Sequence, residues 1–142
     1  MTKKALLVLM CFMSMMLFTQ ISHSQSAKKT LTLPNGEVVL DLSGDWDVIV
    51  ENYGPWSFAG TYPLIVRVKQ TGSSIVGTRL TEDPYHHKGS DAIQGKVGKE
   101  GFDEVYLMSA HGPLSAEGKI SEDGNKMVID NGERARATYT RK

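Results

Sequence analysis

The chain has 142 residues, with 16 basic and 16 acidic side chains, four histidines and one cysteine. This length suits one domain with a modest core and is too short for two. The balanced charge gives no basic excess for binding nucleic acid, and a single cysteine excludes an internal disulfide.

The first 26 residues have the pattern of a cleavable signal peptide. Lys3 and Lys4 precede residues 5–18, which are apolar apart from Ser14. This run is shorter than the ~20 residues that span a bilayer, and its length suits the apolar region of a secretion signal. We therefore expect a periplasmic or secreted protein, without a stable membrane anchor after cleavage.

Small residues allow cleavage after Ser24 or after Ser26, and these two positions remain alternatives. Cys11 does not indicate a lipid anchor, because Met10 precedes it and it lies inside the apolar run. The mature chain keeps fourteen basic and sixteen acidic residues, a net charge of about −2, and has no thiol.

The pattern of residues 27–42 predicts an N-terminal extension or small hairpin. The main domain is expected to follow at residues 43–142. The turn signal Pro34, Asn35 and Gly36 separates residues 30–33 from residues 38–42. No linker rich in proline, serine or glycine follows this segment, so we expect it to continue directly into the domain.

Short runs rich in β-branched and aromatic residues recur after residue 44, and no window has a sustained helical period. A β-branched residue lies four positions before a glycine at residues 68–72, 97–101 and 120–124, as expected where a strand enters a tight turn. These three hairpins help to delimit eight predicted strands: 45–51, 62–70, 74–81, 91–98, 102–109, 114–121, 126–130 and 134–141.

Eight antiparallel strands of similar length, each joined to the next, favour an all-β up-and-down barrel, because closure removes exposed sheet edges. A sandwich of two sheets is the alternative. Trp46, Val48 and Val50 share one face of the first predicted strand, and the alternation in later strands also predicts a one-sided apolar core.

Residues 42–46 read Leu-Ser-Gly-Asp-Trp, which places a Gly-x-Trp motif at Gly44 and Trp46, and Arg141 lies at the end of the last strand. This combination resembles the calycin superfamily of lipocalins, avidins and fatty-acid-binding proteins. It is also similar to small lipocalin-like domains of exported bacterial proteins. The resemblance implies a β-barrel in which the basic residue packs across the Trp ring at the closed end. The chain is shorter than a typical lipocalin and lacks the disulfide that many carry.

An up-and-down barrel places alternate connections at opposite ends. The three tight glycine turns are expected at one end, and the longer segments 52–61, 82–90 and 110–113, with a turn at 131–132, at the other. Ligands of small barrels enter at such a mouth. The candidate ligand-binding residues at this mouth are Trp56, Phe58, Tyr62, Tyr85, His86, His87 and His111.

Two alternatives apply to this mouth. The aromatic residues of segment 53–58 suit ligand contacts and equally suit a plug that fills a small barrel. The three histidines, with Asp83 or Asp91, also suggest the hypothesis of a metal site. The sequence lacks His-x-His and Glu-x-x-His spacing, so we favour exposed loop histidines and expect neither a metal nor another cofactor.

The mature sequence has no Gly-x-Ser-x-Gly elbow, phosphate loop or cysteine nucleophile, and we do not expect an enzyme. Two hypotheses remain. The first is an exported barrel that binds a small apolar or aromatic ligand at the long-loop mouth, which predicts an internal cavity. The second is a protein-interaction module, such as an inhibitor or accessory subunit of an exported enzyme, which predicts a packed interior and exposed loop aromatics. The second resembles small periplasmic protease inhibitors that share the calycin barrel.

Overall fold

The structure, a computed structural model, describes residues 28–142. The predicted signal peptide and its cleavage sites lie outside the described residues. No helix formed by residues 28–142 has the length and apolar character needed to cross a membrane.

The described chain begins with a two-stranded hairpin of β1 (Thr30–Thr32) and β2 (Val38–Leu40). Eight further strands form a closed antiparallel barrel. These strands are β3 (Gly44–Asn52), β4 (Thr61–Thr71), β5 (Ser74–Arg79), β6 (Asp91–Gly98), β7 (Gly101–Ser109), β8 (Gly112–Ile120), β9 (Lys126–Asp130) and β10 (Ala135–Arg141). Each strand pairs with the next, and β10 pairs with β3 to close the barrel. The predicted all-β, eight-stranded up-and-down barrel is confirmed, and the sandwich alternative is wrong.

The predicted strand boundaries lie within two residues of the observed ones, and those of β6 and β9 coincide. The strand boundaries agree because the glycine turns mark where strands end. Gly72, Gly101 and Gly124 all have positive φ, as the three hairpins require. The sequence analysis missed a short 3-10 helix, Gly54–Ala59, between β3 and β4. Six residues are too few to show a helical apolar period.

The core contains side chains that alternate along each strand. Trp46, Val66, Ile93, Met127 and Ile129 are fully buried. Half-buried side chains from β8 complete the interior. One irregularity is a register shift between β5 and β6, where β6 has one extra residue. This bulge accounts for two consecutive buried residues, Ala92 and Ile93, because the extra residue interrupts the alternation.

The β1–β2 hairpin packs against the core near the tight-turn end of the barrel. Val39 and Leu42 are buried in the core, and the Gln70 amide bridges the hairpin to β4. Its Nε2 donates to the Leu40 carbonyl at 2.9 Å, and its Oε1 accepts from the Leu42 amide at 2.8 Å. The long loops lie at the opposite end of the barrel.

Candidate functional site

A cavity of about 120 Å³ occupies the long-loop end of the barrel. Its wall is mainly apolar. The side chains that form it come from the 3-10 helix and from the parts of several strands nearest the long loops. The apolar lining includes Val48, Val50, Leu64, Leu107, Leu114, Ala135 and Ala137. The barrel is therefore filled at one end and hollow at the other.

The structure brings six of the seven candidate ligand-binding residues to this cavity: Trp56, Phe58, Tyr62, Tyr85, His86 and His111. His87 is exposed and is not part of the cavity wall formed by the described residues. The two adjacent histidines thus have different environments.

Trp56, on the 3-10 helix, is half-buried at the mouth. The Arg134 guanidinium lies 5.4 Å from the centroid of the Trp56 ring, and the His111 ring lies at 6.2 Å with a tilt of 49°. The β9–β10 turn, which contains Arg134, and the β7–β8 turn, which contains His111, therefore hold this indole at the rim. Phe58, on the same helix, is 79% exposed. The segment combines a partial plug at Trp56 with an exposed aromatic side chain at Phe58.

Asp130, at the end of β9, anchors the 3-10 helix to the neighbouring turn. Its carboxylate accepts hydrogen bonds from the Tyr53 hydroxyl, from the Gly132 amide at 2.8 Å and from Arg136 Nε at 2.8 Å. Burial alone would raise the pKa of Asp130, but these three donors outweigh it and hold the pKa below its usual value. Burial and the bond to Asp130 raise the pKa of Tyr53, so its hydroxyl remains a donor.

Arg79 lies inside the barrel, on the inward face of β5 after Ile75 and Gly77. Its guanidinium donates to the Ser90 hydroxyl at 3.2 Å, to the Asp91 carbonyl and to the Met108 carbonyl at 2.9 Å. These contacts tie β5 to the ends of β6 and β7. A charged side chain here requires a counter-charge, because burial of an unpaired ion is costly.

Asp83, in the β5–β6 loop, supplies that counter-charge. Its side chain is 1% exposed, and Oδ2 lies 3.3 Å from Arg79 Nε, an ion pair without hydrogen-bond alignment. Asp83 Oδ1 and Oδ2 also lie 2.8 and 3.0 Å from Nδ1 of His86. The three residues Arg79, Asp83 and His86 form what we call the mouth cluster.

His86 has the most exposed side chain of the mouth cluster, at 14%. This histidine contributes to the cavity wall, and its Nε2 is buried without a hydrogen-bond partner in the described part of the chain. The Asp83 carboxylate fixes the ring by accepting from Nδ1. The ring therefore cannot reorient to pair Nε2 without losing that hydrogen bond.

Three tyrosines, Tyr62, Tyr85 and Tyr139, contribute to the cavity wall. Burial raises the pKa of Tyr62, and the nearby Asp83 charge adds to the effect. Burial also raises the pKa of Tyr139 well above its usual value. Both hydroxyls therefore remain protonated at neutral pH and can donate hydrogen bonds in a mainly apolar wall.

The sequence analysis missed Arg79, Tyr139 and Asn52 as cavity residues. Alternation in β5 and β10 was the available signal for Arg79 and Tyr139, because residues two apart on a strand share a face. Asp83 was considered only as a metal ligand. Residues 28–142 contain no group of three or more His, Cys, Asp or Glu side chains placed to hold a metal ion.

Neither protein-family models, nor curated proteins, nor solved structures give a significant match to this chain. The functional argument therefore depends on the geometry of the site.

Proposed function

We propose that this protein is an exported binding barrel that holds a small apolar or aromatic molecule in the cavity at its long-loop mouth. The observation that carries the proposal is a hollow, mainly apolar space next to a filled core. Protein interiors pack with few voids larger than a water molecule, so a space of this size at a barrel mouth favours a ligand site.

The size of the cavity supports a single-ring ligand. Its volume of about 120 Å³ is close to the ~150 Å³ of an engineered apolar cavity that binds benzene. Pockets for larger ligands usually measure about 300 Å³ or more. A long acyl chain would therefore need a larger space than the barrel provides.

The proposal can be tested by native mass spectrometry, with metal analysis, on the protein purified from a periplasmic fraction. We expect the mass of one bound small molecule, and we expect Trp56→Ala combined with Phe58→Ala to lose it. Ile49→Ala combined with Val76→Ala is the control, because these two exposed apolar side chains do not contribute to the cavity wall. A bare chain mass for the unmodified protein, even after addition of single-ring aromatics, would contradict the proposal.

Exposed aromatics at the rim favour a second candidate, a protein-interaction module such as an inhibitor of an exported enzyme. Phe58 is 79% exposed and Tyr85 is 45% exposed. Aromatic side chains are enriched at protein interfaces. Inhibition of purified exported proteases by the native protein, lost in Phe58→Ala, would support this candidate over ligand binding; no inhibition of any of them would count against it.

The proposed export and the proposed relation to the calycin superfamily have separate support. The first depends on the pattern of residues 1–26. The second is supported by the barrel itself and by the Arg141 guanidinium, 4.5 Å from the Trp46 ring centroid. Amino-terminal sequencing of the exported chain should give a start directly after Ser24 or Ser26, and a start at Met1 would contradict cleavage.

A further inference from the structure

Nε2 of His86 is a buried hydrogen-bonding atom that the described protein leaves unpaired. A carboxylate can only accept, so the contact of 2.8 Å between Asp83 and Nδ1 requires the hydrogen of the ring to be on Nδ1. In the neutral imidazole, Nε2 then presents a lone pair. The mouth cluster therefore fixes a buried acceptor on a residue of the cavity wall.

The charges of the mouth cluster agree with a neutral ring. The Arg79 guanidinium offsets the charge of Asp83 at 3.3 Å, so a neutral His86 leaves the three residues without net charge. Arg79 is itself held by the Met108 carbonyl and by Ser90. The acceptor is thus positioned by hydrogen bonds and one ion pair that together connect it to β5, β6 and β7.

An unpaired buried acceptor requires an explanation, because most buried polar groups in native proteins have a partner. Tyr62 and Tyr139 also contribute to the cavity wall, but neither hydroxyl donates to Nε2 of His86. A donor from the ligand would pair it. The two tyrosine hydroxyls remain available for the lone pairs of the same ligand group.

The geometry points to a ligand with an O–H or N–H group on a single aromatic ring, with that group donating to Nε2 of His86 and the ring against the apolar wall. This inference rests on the proposed function, because it names the ligand class of the same cavity. Phenol, aniline and toluene are suitable probes, since they have nearly the same shape and differ in their donor group.

The test is calorimetric titration of the purified protein with each probe. We expect phenol and aniline to bind at least as tightly as toluene, although they lose more hydration on leaving water. In His86→Phe, the ratio of the phenol Kd to the toluene Kd should rise about tenfold, since the donor would be buried unpaired. His87→Phe makes the same change at the exposed neighbour and should leave the ratio unaltered.

A second measurement needs no substitution. In ¹⁵N spectra of the native protein, phenol and aniline should shift the Nε2 resonance of His86 and toluene should leave it nearly unchanged. If toluene binds but the Kd ratio in His86→Phe equals that of the native protein, the ligand class is wrong and the binding function stands. If the native protein binds none of the three probes, both proposals fail.

Discussion

The guanidinium carbon of Arg141 lies 4.5 Å from the centroid of the Trp46 ring. The same guanidinium donates to the carbonyls of Ser43 at 2.8 Å, Asp41 at 2.9 Å and Gly124 at 3.1 Å. One side chain on β10 therefore joins the start of β3, the segment that follows the β1–β2 hairpin, and the β8–β9 turn. This arrangement closes the barrel at the end away from the cavity.

Arg141→Lys should lower the free energy of unfolding by about 1–3 kcal/mol. A lysine ammonium cannot reproduce a planar fork that contacts three carbonyls and stacks on an indole. Urea unfolding followed by Trp fluorescence, with an unchanged m-value, measures the effect. Lys142→Met is the control, because its ion pair with Asp47 is exposed and spans 3.6 Å, and we expect a change of at most ~0.5 kcal/mol. Equal losses in the two variants would contradict the structural role of Arg141.

Gly77→Ala should also destabilise the barrel, for a steric reason. A methyl group on Gly77 would collide with Ile93 Cγ2 and lie 2.8 Å from Val66 Cγ1. Overpacking of this kind costs about 1–3 kcal/mol. Thermal unfolding of Gly77→Ala, Ile93→Ala and the double variant measures the coupling. The double variant should lose less than the two single losses combined, since each change relieves the other; strict additivity would contradict the predicted collision.

The strands and the end of the barrel that holds the cavity could be predicted because they depend on local chemistry. Period-two alternation identifies faces such as that of Trp46 and Val48, and glycine turns such as Gly124 assign connections to ends. The contacts at the mouth could not be predicted in this way. Whether His86 or His87 faces inward depends on the bridge from Asp83, which only the folded loop creates.

Arg79 illustrates a different limit. Its spacing from Ile75 and Gly77 places it on the inward face, but a charged residue is usually expected in solvent. Its burial is possible because Asp83, in the β5–β6 loop, supplies a counter-charge. No local pattern in the sequence indicates that ion pair.

The pKa of Asp130, held below its usual value, predicts an acid-sensitive contribution to stability. A carboxyl whose pKa falls on folding stabilises the native state above its unfolded pKa of ~3.9, and this contribution is lost as pH falls through the lower folded pKa. Asp130→Asn should therefore cost on the order of 1 kcal/mol at neutral pH, allowing for partial exposure, and close to nothing in strong acid. Urea unfolding across a pH series measures this difference.

Tyr53→Phe is the matched variant, because it removes one donor and leaves the carboxylate and the ring in place. It should give a smaller loss in the same pH range. If the deficit of Asp130→Asn persisted unchanged in strong acid, packing rather than the ionised carboxylate would be its cause.

The mouth cluster and the exposed pair Arg67–Asp45 allow a comparison of two Arg–Asp ion pairs in one barrel. The side chains of Arg79 and Asp83 are 6% and 1% exposed, whereas those of Arg67 and Asp45 are 61% and 35% exposed. Arg79→Met leaves a buried carboxylate without its counter-charge and should cost about 3–5 kcal/mol. Arg67→Met removes a shorter ion pair of 2.7 Å but leaves a hydrated carboxylate, so it should cost much less than Arg79→Met. Urea unfolding of both variants tests the order. Similar losses would mean that water reaches the mouth cluster, and a solvated His86 would then have no need of a donor from the ligand.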